Sequence, residues 1–318
     1  FMIQGKLTAG EILAFSSLTW ALANPLRNLG MLINDLQRFF ASCQMIIEIF
    51  YAQPSIADRY QAKDPGVRPE GEIEYRDVSL KINNTQILDG ISFHIKPGQT
   101  LGIIGTTGSG KTTLAGMLPR LNDPTAGEVL LDGKNVQDYT LQALRRYVGV
   151  AMQEVFLFSD TVDSNIAYGR PDMPFEEVKK FAHIADADEF VERMADGYDT
   201  LIGERGVGLS GGQKQRLSLA RALAIRPSVL ILDDTTSAVD METEQYLQEQ
   251  LRNLDFPCTK IIIAQRISSI EDADLILVLD GGKVVERGTH KELLQNHGFY
   301  RHIWAIQNSM EEGEQLGA

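Results

Sequence analysis

The pattern of apolar and polar positions changes character twice along the 318 residues. Residues 9–50 are helical in pattern and mostly apolar, with Pro25 expected to kink the run. The longest uncharged stretch there, Ile12 to Leu26, is fifteen residues. At 1.5 Å per residue it reaches about 22 Å, short of a hydrocarbon core of roughly 30 Å. A polar, proline-rich stretch follows, Gln53-Pro-Ser55 and Ala62-Lys-Asp-Pro-Gly-Val-Arg-Pro69, as boundaries tend to be. From Gly71 to Ile95 apolar and polar residues alternate around Asn83-Asn84, which predicts antiparallel strands. Beyond them, apolar runs at Thr100–Ile104, Glu128–Leu131, Val148–Gln153, Val229–Asp233 and Lys260–Ala264 read as strands. Helical stretches separate them at Lys111–Leu118, Leu141–Tyr147, residues 175–197 and Gln213–Ile225. Strands interleaved with helices predict an α/β domain. The expected division is 1–52, a linker at 53–70, one domain at 71–308, and an acidic tail at 309–318.

Two loops in this domain are suited to phosphate. Gly105-Thr-Thr-Gly-Ser-Gly-Lys111-Thr112 is a G-x-x-x-x-G-K-[ST] loop between a strand and a helix. Gly105, Thr106, Thr107, Gly108, Ser109 and Gly110 allow consecutive N–H groups to point inward as an anion nest at the helix's positive end. Lys111 is expected to reach the β- and γ-phosphates and the Thr112 hydroxyl to ligate Mg²⁺, with Thr113 next in the first turn. The second loop, Leu209, Ser210, Gly211, Gly212 and Gln213, opens an amphipathic helix rich in Leu, Ala and Arg. Its serine and glycines at a helix N-terminus make another phosphate site, and one nucleotide rarely needs both.

With both loops present, the chain resembles the ATP-binding cassette family. The resemblance implies a P-loop NTPase cassette with a mixed sheet core, an antiparallel β subdomain and an α-helical signature subdomain, using ATP and Mg²⁺. Leu209 to Gln213 match the signature, which in the family caps the γ-phosphate of an ATP held by a partner's Walker A loop. Asp233 matches the Walker B aspartate, which holds Mg²⁺. Gln153, 42 residues past Lys111, matches the glutamine that contacts Mg²⁺ and begins the loop facing the membrane domain's coupling helices. Ser237, Ala238, Val239 and Asp240 resemble the D-loop at the dimer seam. Ile82 falls where the family usually stacks an aromatic ring on adenine, with Tyr75 the substitute if the register shifts. Residues 1–50 are similar to the last membrane helix of ABC exporters and its cytoplasmic extension, particularly Leu7-Thr-Ala-Gly-Glu11 and Asn24-Pro-Leu-Arg-Asn28. The implied setting is the cell membrane, cassette on the cytoplasmic face, in a fragment whose other membrane helices are missing. A helical hairpin packed on the cassette is the competing reading of this segment.

Two positions depart from the family pattern. A glutamate normally follows the Walker B aspartate and polarises the attacking water; here it is Asp234. A base must lie about 2.6–3.2 Å from the proton it takes, and Asp234 is one methylene short. The family's switch histidine is replaced by Gln265, which can donate to phosphate but cannot become cationic. No histidine lies between His183 and His290 to restore the position by a shift of register. The pair matches the family's degenerate site. It implies a heterodimeric exporter half whose own Walker side is slow and whose intact signature completes the partner's site.

Composition narrows the alternatives. Thirty Lys and Arg against 43 Asp and Glu give a net charge of −13, which argues against a nucleic-acid partner. A soluble cassette ATPase of DNA repair or translation is disfavoured for that reason. A homodimeric exporter that tolerates Asp234 and Gln265 at both sites stands as the rival, and a nucleotide sensor without catalytic share as another. Cys43 and Cys258 stand in no metal spacing and read as reduced thiols.

Overall fold

A computed structural model of the protein describes residue 5 and residues 7–235 and 239–315. The chain divides into two compact units, Phe1–Ser55 and Ile56–Ala318. The first is a single helix, α1 (Ala9–Phe50), 42 residues long. Its start is fixed by a capping box: Glu11 N–H donates to the Thr8 hydroxyl oxygen at 3.3 Å, and the Glu11 carboxylate accepts from Thr8 N–H at 2.7 Å. The helix is continuous through Pro25, and no α1 side chain is buried. Among the described residues no helix is long and apolar enough to cross a membrane.

The second unit begins with a segment fastened to the domain rather than strung out from it. Arg120, 2% exposed, forks onto Asp123 at 2.9 and 2.8 Å and donates to the Ala57 carbonyl at 3.2 Å. Arg68 donates to the carbonyls of Pro227 and Pro257 at 3.0 and 2.9 Å. The stretch expected as a linker is thus tied to the cassette from Ile56 onward, through contacts far apart in sequence.

The alternating region forms a hairpin, β1 (Ile73–Ile82) and β2 (Thr85–Ile95). Asn83 and Asn84 both have positive φ, 48° and 63°, as the tight turn that suits strand twist requires. Strands β3 (Thr100–Gly105), β4 (Ala126–Leu131), β5 (Lys134–Asn135), β6 (Val148–Ala151), β7 (Val229–Asp233), β8 (Thr259–Ile263), β9 (Leu275–Asp280) and β10 (Lys283–Gly288) follow. Among the described residues they form two sheets, an antiparallel one in the order β2-β1-β4-β5 and a mostly parallel one in the order β10-β9-β3-β8-β7-β6. β7 is buried along its whole length, as a continuous apolar parallel strand should be.

Helix α2 (Lys111–Gly116) sits between the sheets, and α3 (Leu141–Tyr147) leads into β6. Ile73, Tyr75, Leu101, Ile103, Leu114 and Met117 share the core that joins the sheets. Tyr75, 1% exposed, stacks on Phe93 at 4.4 Å and donates its hydroxyl to the Leu114 carbonyl at 2.9 Å. That burial removes it as a substitute adenine platform: its ring faces the core. A second core gathers α4 (Val162–Ala167), α5 (Phe175–Ile184), α6 (Asp188–Glu192) and the signature helix α7 (Gly211–Ala224) around Ile166, Phe181, Leu217 and Leu223. α8 (Met241–Arg252) adds Leu247 and Leu251 to it. A third core places α9 (His290–Gln295) and α10 (Phe299–Gln315) over Ile104, Ile267, Ile276 and Val278. α10 carries the backbone of the expected tail as helix to Gln315.

Candidate active site

The parallel sheet brings the scattered motifs to one edge. β3, β8, β7 and β6 are successive neighbours running the same way. Their carboxyl ends deliver, in that order, the glycine-rich loop, Gln265, Asp233 with Asp234, and Gln153. Ligands of α/β sheets bind on this edge. The groups line a cavity of ≈ 260 Å³ whose wall includes Thr107, Gly108, Gly110, Lys111, Thr112, Thr113, Gln153, Asp233, Asp234 and Gln265.

Glycine is required where the loop turns into α2. Gly110 has φ +96°, and a Cβ there would come within 2.7 Å of Leu88 and 3.2 Å of the Ile87 carbonyl. Gly105 and Thr106 stand at the loop's base, where the Thr106 hydroxyl donates to Asp280 at 3.0 Å. Lys111 Nζ donates back to the carbonyls of Gly105 and Thr106, both at 2.9 Å, so its ammonium spans the loop. Ser109 is buried, and its hydroxyl has no partner among the described residues.

At the other end of α2's first turn, the Thr112 hydroxyl donates to Asp233 Oδ2 at 2.7 Å. Burial pushes the Asp233 carboxyl above its ordinary value, opposed by the Thr112 hydroxyl and the Lys111 ammonium. Burial likewise draws Lys111 below its ordinary value, opposed by Asp233 and Asp234. A buried carboxylate beside a threonine hydroxyl and a glutamine amide is an oxygen donor set suited to Mg²⁺, which needs few protein ligands when phosphates supply others. The residues therefore fit the ion: Thr112, Asp233 and Gln153 could hold it.

Asp234 occupies the left-handed region, φ 51°, a conformation aspartate tolerates better than most residues. Its N–H donates to the Ile263 carbonyl at 2.9 Å, and its carbonyl accepts from Gln215 Nε2 of the signature helix at 3.3 Å. Its carboxylate oxygen Oδ2 accepts from two amides, Gln265 Nε2 at 2.7 Å and Gln153 Nε2 at 3.3 Å. The two positions that depart from the family pattern are thus in direct contact.

Other expected residues lie elsewhere. Ile82 is 44% exposed at the end of β1 and is not in the cavity wall, where Ile87 stands instead. Ser210 caps α7 and exchanges a capping box with Gln213, at 3.3 and 2.9 Å, while Leu209 is half-buried and Gly211 exposed. No signature residue is in the cavity wall among the described residues. Asp240 caps α8 by accepting from Thr243 N–H at 2.9 Å, and Val239 is buried. Ser237 and Ala238 lie outside the described residues. Sequence reading missed Gln215 and Ile87. A mid-helix glutamine and one isoleucine of a strand carry no local signal of a site.

A sheet edge presenting a P-loop beside an acid pair and two glutamines, with a capped signature helix on a separate subdomain, defines a nucleotide-binding cassette ATPase. The family model described as "ABC transporter" matches residues 88–237. The chain is 43% identical over 308 residues to "Uncharacterized ABC transporter ATP-binding protein YknU" of Bacillus subtilis (strain 168), covering 96% of this chain and 52% of that protein. It is 41% identical over 308 residues to "ATP-dependent lipid A-core flippase" of Aromatoleum aromaticum, covering 96% and 51%. Among solved structures, "Structure of a bacterial Atm1-family ABC exporter with ATP bound" superposes with a TM-score of 0.81 at 36% identity, covering 95% of this chain and 53% of that one. Residues 88–237 thus match the ABC transporter family, the fold is that of an ABC cassette, and the site suits ATP with Mg²⁺. It spans about half the length of the curated relatives it matches.

Proposed function

We propose that the chain is the ATP-binding portion of an exporter half-transporter, with a slow Walker site of its own and an intact signature that serves a partner's site. The contact of Gln265 and Gln153 with Asp234 carries the reading. Lys111 and the N–H groups of residues 105–110 bind and orient the β- and γ-phosphates. Thr112, Asp233 and Gln153 would hold Mg²⁺, which when bound would neutralise phosphate charge and polarise the phosphoryl oxygens. Asp234 is the group that must accept the proton of the attacking water. Its carboxylate stands back by one carbon–carbon bond, and a misplacement of about 1 Å can cost on the order of a hundredfold. Gln265 can donate one amide N–H to the γ-phosphate but cannot carry charge there. Binding is intact; turnover is slow.

The signature residues Leu209, Ser210, Gly211, Gly212 and Gln213 close over ATP held by the second half-transporter, and Val239 and Asp240 line the seam between cassettes. The loop after Gln153 meets the coupling helices of a membrane domain, to which residues 1–52 contribute the last helix and its extension, and residues 53–70 join that part to the cassette at 71–308. The cassette then lies on the cytoplasmic face of the cell membrane. The relatives named for export or flipping, and the charge of −13, support a transporter over a nucleic-acid ATPase.

A homodimer is equally consistent with an intact signature on this chain, since two copies would complete each other. Affinity purification from native membranes separates the two assemblies. A second half-transporter with Glu and His at the positions of Asp234 and Gln265 supports the heterodimer; a self-associated chain alone supports the homodimer. In the heterodimer, Ser210→Ala lowers complex ATPase about 10- to 150-fold, the worth of one lost hydrogen bond to a charged phosphate. Unchanged turnover would leave the chain as a nucleotide sensor.

A further inference from the structure

The segment that carries Gln265 has no ladder to hold it. After β8 ends at Ile263 the backbone is irregular through residue 269, yet Gln265 must be aimed within tenths of an ångström to act on a phosphate. Two helices grip it. From α10, the Gln307 side chain closes on the backbone either side of Arg266: its Oε1 accepts from Ile267 N–H at 2.9 Å, and its Nε2 donates to the Gln265 carbonyl at 2.9 Å. From α8, the buried Glu244 carboxylate pairs with Arg266 at 3.3 Å and accepts from the Ser269 hydroxyl. Ile267 and Ile270, both buried, anchor the same segment in the core that α9 and α10 cover.

The grip from α10 is the more telling, because α10 is itself fixed. The Glu286 carboxylate of β10 accepts from Phe299 N–H at 2.5 Å and Tyr300 N–H at 3.3 Å, and Tyr300 is fully buried. Gln307 therefore projects from a rigid element onto an irregular one. A glutamine whose oxygen and nitrogen are both taken by main chain, two residues apart, fixes the orientation of the peptide planes between them. Those planes set where the Gln265 side chain leaves the backbone, and it leaves toward Asp234.

We propose that Gln307 is a positioning residue for ATP hydrolysis: the amide on the C-terminal helix holds the backbone around Gln265 so that the Gln265 side chain meets Asp234 and the bound γ-phosphate. The proposal rests on the reading that Gln265 contacts ATP. Gln307 itself touches no substrate, and its effect passes through residue 265.

A double-mutant cycle in the full chain tests it, with Gln307→Leu, Gln265→Ala and both together. The readouts are Mg-ATP affinity and the single-turnover rate of γ-phosphate release, followed long enough to capture a slow site. Gln307→Leu is expected to lower the rate about tenfold while ATP affinity stays within twofold. In the Gln265→Ala background the same change is expected to have less than a twofold effect. Gln307→Glu keeps the acceptor for Ile267 N–H and loses the donor to the Gln265 carbonyl, so its rate falls between wild type and Gln307→Leu. It also replaces the leucine variant in the cycle should that one melt below the assay temperature. Multiplying effects, an unchanged rate in Gln307→Leu, or a Gln265→Ala chain as fast as wild type would each overturn the proposal. The absolute wild-type rate reads the slow-site assignment separately: a brisk wild type would end that assignment and leave the coupling of Gln307 to Gln265 standing.

Discussion

The two halves of the cavity are built to different standards. On the side of β3 and α2 the loop keeps its lysine and threonine, and the Thr112–Asp233 hydrogen bond at 2.7 Å joins it to β7, the strand beyond β8. At the ends of β7 and β8, Asp234 and Gln265, the two positions that depart from the family pattern, are hydrogen-bonded to each other. Asp233 and Asp234 are both buried at the end of β7. What differs is chemistry at a few atoms. In the reading proposed above, the cassette keeps nucleotide binding while hydrolysis is relaxed, because different side chains carry the two tasks.

The contrast can be sharpened by repairing the weak half. Asp234→Glu with Gln265→His is expected to raise turnover on the order of a hundredfold, by restoring reach and a chargeable partner, with little change in ATP affinity. Steady-state phosphate release beside an affinity titration reads both quantities; no gain in rate breaks the contrast.

Damaging the strong half should have the opposite signature. Lys111→Ala removes the cation that neutralises the phosphates, and ATP affinity should fall about 10- to 150-fold, the worth of charge-assisted hydrogen bonds. Equilibrium titration with a fluorescent ATP analogue checks it. Retained affinity would move the binding role away from the loop.

The smallest effect concerns the base. Ile82 is an exposed aliphatic residue near the hairpin turn, and we propose that it covers adenine with little π contact. Ile82→Tyr should tighten ATP binding about threefold, within the range of one aromatic contact. Unchanged affinity in the same titration would detach Ile82 from the nucleotide.

Much of this was legible in sequence because it is local. The glycine-rich loop, the Asn83-Asn84 turn and the helix start at the signature are each determined within a few residues, and each is found where the pattern places it. The apolar run ending at Asp233 likewise announces a buried parallel strand. What could not be read depends on contacts distant in the chain. The Arg68 and Arg120 bonds that fasten residues 56–69 to the domain have no signature in a proline-rich stretch. Tyr75 looks like any strand aromatic until packing on Phe93 and α2 takes it inside. Gln215 reaches the Asp234 backbone across 19 residues, and Gln307 reaches Gln265 across 42. A glutamine alone announces neither.

We propose that the reach of Asp234 makes this a slow site. Rapid mixing of the wild-type chain with saturating Mg-ATP, followed by quenching and quantitation of bound ATP and ADP, measures it without altering a side chain. The expected result is nucleotide captured quickly and still ATP after many minutes. Conversion of the bound ATP to ADP within about a second, in the range of ordinary enzyme turnover, would contradict it.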